Sequence, residues 1–179
     1  KQFELSGEGN CIATKIDKDY SDDNCLMTTT VMETGRHRIS FKLDRGESLS
    51  HDWYCGVVKD GAACDVDHAT EESTDGWFID GVEGALWGNG NNGEENQTRA
   101  GGIRERNIVS LEADLDEGTL RFWVNGHPHG PGFSSGVKGK LRWAISVYNT
   151  GNTVQIVPTP KLKQWKEWRK GIIIVWGVK

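Results

Sequence analysis

No apolar run in this chain is longer than Ile172 to Trp176. That falls far short of the ~20 residues a membrane-spanning helix requires. A basic stretch leading into an apolar segment is missing from the N-terminus, so no signal peptide is visible. Lys1 in place of Met reads as the start of a fragment of something longer. Positive charge is in deficit: 21 Lys and Arg stand against 26 Asp and Glu, for a net charge of −5. An electrostatic nucleic-acid footprint is thereby disfavoured. Cysteine is sparse, at positions 11, 25, 55 and 64 only. This lacks the density of a disulfide-stapled secreted domain, and it favours free thiols in a reducing, cytoplasmic setting. Alanine is scarce beside 23 Gly, which favours strands and tight turns over helices.

What is present is alternation. Ile39, Phe41 and Leu43 share one phase, and Arg38, Ser40 and Lys42 the other. Val109, Leu111, Ala113 and Leu115 alternate with Ser110, Glu112 and Asp114. Leu120, Phe122 and Val124 repeat the pattern after a short loop, Asp116-Glu117-Gly118. Leu141, Trp143, Ile145 and Val147 follow, and then Val154 and Ile156. One apolar and one polar face per strand is the signature of stacked antiparallel sheets. The fold predicted is all-β, a two-sheet antiparallel β-sandwich. Its core is expected to hold Ile39, Phe41, Trp77, Leu111, Leu120, Phe122, Trp143, Ile145 and Val154. Pro158-Thr159-Pro160 stops any regular ladder. Residues 1–160 are therefore read as the domain. Residues 161–179, basic and Trp-rich, are read as a tail packed on the domain or leading to a further one.

Several patterns look chemical. Glu112, Asp114 and Asp116 fall at alternate positions, as paired carboxylates do on a glycoside-hydrolase strand. No aromatic sugar platform stands beside them, and the reading is a solvated outer face of a hairpin. His51, Cys55, Cys64 and His68 offer metal donors, yet a Cys-x2-Cys knuckle is absent and Cys55 lies mid-strand. Cys55 is read as a buried small side chain, and no metal or cofactor is assigned. Gly88 to Gly93 matches Gly-x-Gly-x-x-Gly, but two acids follow it instead of an apolar helix, so it is read as a flexible Gly/Asn loop. Asp17 to Asp23 opens like a calcium loop and lacks the required Gly and Glu.

Taken in order, these residues resemble the SPRY domain family. The resemblance rests on Gly35-Arg36-His37-Arg38-Ile39-Ser40-Phe41, Trp53-Tyr54-Cys55-Gly56-Val57 and Gly76-Trp77. It is strongest across Leu115 to Gly126, and it continues through Gly132-Phe133, Leu141 to Val147 and Val154 to Ile156. Trp143 stands where the family usually has Pro, and 58–75 shows no family pattern. The resemblance implies a non-catalytic protein–protein interaction module. Such a module recognises a short segment or loop of a partner through edge loops of the sandwich. It further implies a monomeric domain in a larger intracellular chain, such as a ubiquitin-ligase adaptor or signalling protein. Tyr148 and Asn149 match the family's contact position, and the resemblance brings Lys59, Asp60 and Asp80 to the same edge. A carbohydrate-binding lectin-like domain and a jelly-roll hydrolase using the Glu112 face are the alternatives.

Overall fold

The computed structural model describes residues 3–16, 25–44, 53–62, 74–94, 102–147 and 149–163. Among the described residues, thirteen strands form two antiparallel sheets. The seven-stranded sheet runs β1 (Phe3–Ser6), β2 (Ile12–Lys15), β13 (Thr153–Ile156), β4 (Arg36–Asp44), β9 (Ile108–Asp114), β10 (Thr119–Val124) and β11 (His127–Pro128). The six-stranded sheet runs β3 (Cys25–Met27), β12 (Leu141–Val147), β5 (Trp53–Lys59), β6 (Gly76–Asp80), β7 (Leu86–Gly88) and β8 (Asn91–Glu94).

The period-2 phases decide which side chains meet between the sheets. All nine expected core residues belong to one buried cluster. Phe122 and Leu120 are fully buried, and Phe122 meets Phe133 edge-on with ring centroids 6.4 Å apart. Ile156 departs from its phase and is 41% exposed. It lines an open apolar cleft of 460 Å³ between the sheet edges, together with Leu5 and Met27.

The carboxylate strand also departs from expectation. Glu112 and Asp114 are buried, not solvated. The cause is the neighbouring strand: β4 sets Arg36 opposite Asp114, Arg38 opposite Glu112 and Ser40 opposite Ser110. Arg36 donates to Asp114 at 2.7 Å, Arg38 pairs with Glu112, and the two Ser hydroxyls bond at 2.8 Å. This is a cross-strand polar ladder, with charge-assisted pairs at one end. The Arg36 guanidinium and the Glu117 backbone N–H hold the Asp114 carboxyl below its usual range. Asp116, in contrast, is exposed and accepts from the Gly35 N–H.

The Gly88–Gly93 segment is a hairpin instead of a loose loop. Asn89 and Gly90 both take positive φ between β7 and β8, as a two-residue hairpin turn demands. The cysteines divide. Cys11 and Cys55 are free thiols, and Cys25 is disulfide-bonded, against the expectation of free thiols throughout. Burial pushes the Cys55 thiol up, which makes it a packing group without nucleophilic character. His51, Cys64, His68 and the Asp17–Asp23 stretch lie outside the described residues.

Candidate functional site

Strand direction builds one end of the sandwich from three segments. β5 is antiparallel to both its neighbours, so its start meets the finish of each. Trp53 pairs with Val147 on one side, and Tyr54 pairs with Asp80 on the other. The chain leaving β6 turns at once. The buried Asp80 carboxylate accepts from the backbone N–H groups of Val82 and Glu83, and Gly84 N–H donates to the Asp80 carbonyl at 3.1 Å. An acidic side chain capping the backbone two residues on is the usual chemistry of an Asp-Gly turn.

Below this turn the packing is close. A Cβ at Gly81 would lie 1.9 Å from the Trp53 ring, and one at Gly84 would lie 2.7 Å from His129 Nε2. Ile103 N–H donates to the Gly81 carbonyl at 2.8 Å, which pins a second segment against the turn. The result displays Val82, 36% exposed, and Glu83 at the tip of a firmly seated loop. Neither residue was singled out from sequence. The Asp80-Gly81-x-x-Gly84 spacing is the signal that marks them.

Asn149 sits at the same end but points its contribution inward. It is 3% exposed, at the base of a turn in which Asn152 N–H donates to the Asn149 carbonyl at 3.1 Å. Gly151 N–H donates to the Lys15 carbonyl, fastening that turn to β2. Tyr148 lies outside the described residues, between Val147 and Asn149. Lys59 and Asp60 are elsewhere. Lys59 pairs with Leu141, at the far end of β5, and its ammonium bonds Asp75 at 3.0 Å. Asp60 accepts from Arg142 at 2.7 Å. The length of β5 separates them from Asp80 by roughly 20 Å, at ~3.3 Å per residue. Asp80 and Asn149 therefore share one end, and Lys59 and Asp60 share the other.

The histidine under the turn has a pH consequence. Burial lowers the His129 pKa from its ordinary 6.5. The folded state thus favours neutral imidazole, while the unfolded chain takes up a proton as pH falls below 6.5. Stability from this group is complete above pH 6.5 and declines below it, toward the lowered folded value. Urea midpoints should fall between pH 7.5 and 5.5, and His129→Gln should flatten that decline. An unchanged slope in the variant would show that His129 is not its source.

Two stacked antiparallel sheets joined by tight turns define the class of all-β sandwich domains. The SPRY domain family model matches residues 37–160, and this chain belongs to the SPRY domain family. Its fold is shared with solved structures of low sequence identity. The SPRY domain of human HERC1 aligns with TM-score 0.69 at 17% identity, over 89% of this chain and 94% of that one. The TRIM65 PSpry domain aligns with TM-score 0.62 at 14% identity, over 88% and 86%. A human SPRY domain aligns with TM-score 0.60 at 15% identity, over 87% and 94%. No curated protein matches the chain. Among the described residues, no helix is long and apolar enough to cross a membrane.

Proposed function

We propose that this chain is a non-catalytic interaction module that receives a short segment or loop of a partner protein at the Asp80–Asn149 end of the sandwich. The observation that carries this is the Asp80-capped turn, which presents Val82 on a rigid base at the end of the sandwich where β12 finishes. Asp80 and Asn149 act as positioning residues in this reading. Tyr148, Val82 and Glu83 supply the contact, with Tyr148 as the aromatic anchor. Lys59 and Asp60 are left out, because they occupy the opposite end. Acid catalysis on the Glu112 face is disfavoured: Glu112 and Asp114 are both buried, and each is engaged by an arginine, Arg38 and Arg36. Placement in a larger intracellular protein, as a ubiquitin-ligase adaptor or signalling component, is part of the same proposal. The disulfide at Cys25 is the observation that bears against the intracellular part.

Selection of binders from a random peptide library would supply a ligand for titration. Tyr148→Ala is expected to weaken that ligand by roughly 2 kcal/mol, within the hot-spot range, with the thermal midpoint nearly unchanged. Val82→Asp should weaken it as well, and Lys59→Ala should leave it untouched. A ligand indifferent to both Tyr148 and Val82, or sensitive to Lys59, would remove the site from this end.

A further inference from the structure

On the outer face of the seven-stranded sheet, residues 157–163 return across β4 and β10 as a strap. Val157 N–H donates to the Ser40 carbonyl, and the Ser40 hydroxyl donates to Thr159 at 2.9 Å. Farther along, Trp123 Nε1 donates to the Lys163 carbonyl at 3.0 Å, and Lys163 N–H donates to Gly126. The strap explains why Trp123 is buried although its phase faces outward. Between strap and sheet runs a groove of 810 Å³, whose lining includes Arg36, Arg38, Arg121, Lys161 and Lys163 beside Glu112 and Glu117.

We propose that this groove is a second interaction surface, and that its occupant is an extended, acidic segment of a partner protein. The carboxylates in it are already engaged. Glu112 is bound by Arg38, and Glu117 lies 3.7 Å from Arg121. Arg36 and Arg38 each spend Nε and one terminal nitrogen on a single carboxylate oxygen. Their side chains stay about half exposed, at 52% and 51%, so N–H donors remain for a second anion. Lys161 and Lys163 are exposed, and neither has an acidic partner among the described residues.

Spacing and charge select the ligand. Arg36 and Arg38 are alternate residues of one strand, ~7 Å apart, which is the spacing of alternate side chains in an extended peptide. The groove is cationic on a chain whose net charge is −5, so an acidic segment is repelled elsewhere and steered here. The same net charge, with Glu112 and Glu117 in the groove, disfavours a dense phosphodiester strand or an anionic bilayer.

The probe is a fluorescein-labelled short peptide of alternating Glu and Ser, followed by anisotropy at low salt. Arg36 and Arg38 cover buried carboxylates, so the test variants are the exposed lysines. Lys161→Glu with Lys163→Glu should weaken the peptide about tenfold, in the range of two rim charge pairs reversed. The thermal midpoint should be retained. Tyr148→Ala should have no effect, which separates this surface from the Asp80–Asn149 end. If the double reversal lowers the midpoint, Lys161→Gln with Lys163→Gln takes its place, with a smaller loss expected. Three results would each overturn the proposal: no binding of the peptide, binding indifferent to both lysine pairs, or a single-stranded oligonucleotide or anionic vesicle bound more tightly than the peptide.

Discussion

Phe122→Ala is expected to lower the unfolding free energy by roughly 3–5 kcal/mol, the range for emptying a large aromatic from a packed core. Phe122 is fully buried mid-strand in β10, opposite Leu111 of β9. Its ring also anchors a loop. Phe133 packs on it edge-on, while Leu120 and Phe133 exchange both backbone hydrogen bonds. The substitution therefore removes buried area and the seat of the 131–133 segment together. Urea denaturation followed by tryptophan fluorescence would measure the loss. A change below about 1 kcal/mol would mean that the cavity collapses freely or that the register is different.

The second large effect comes from adding one methyl group. Gly56 lies at the centre of β5, paired with Ala144 on one side and Phe78 on the other. A Cβ there would stand 1.9 Å from the Trp77 carbonyl oxygen and 2.9 Å from Phe78 Cα. Both are backbone atoms of the adjoining strand, so no side-chain rotation relieves the clash. β5 and β6 would have to part, and Trp77 and Ile79 are buried through that pairing. Gly56→Ala should cost about 3 kcal/mol or more, at or beyond the upper end of ordinary overpacking. Soluble yield and urea midpoint are the readouts, and a wild-type midpoint would contradict the close approach of the strands.

The alternating phases of Ile39, Leu111, Phe122 and Trp143 were enough to assign the core, because successive side chains of a strand point to opposite faces whatever its neighbours are. Adjacency is a different kind of information. Arg36-x-Arg38-x-Ser40 and Ser110-x-Glu112-x-Asp114 are complementary halves of one ladder, yet Arg36 and Asp114 stand 78 positions apart. Neither half announces its partner, so the acidic half alone reads as a solvated face. The candidate site was legible to the same degree. Asp80 and Asn149 fall at one end because strand direction brings β6 and β12 to a finish beside the start of β5. Lys59 fails to join them because it closes that same strand, and direction is invisible in a run of residues taken singly. The Asn89-Gly90 hairpin was readable locally, and the Gly-x-Gly-x-x-Gly spacing around it obscured a plain turn signal.

Strand length across each sheet has a bearing on how this domain coexists with copies of itself. The strands at the margins are short: β1 and β8 have four residues, β3 has three and β11 has two. The interior strands β5, β9 and β12 have seven residues, and β4 has nine. An edge offers unpaired N–H and C=O groups to any passing chain in proportion to its length. Among the described residues, every margin offers only a short ladder, which disfavours edge-to-edge pairing between copies of the domain.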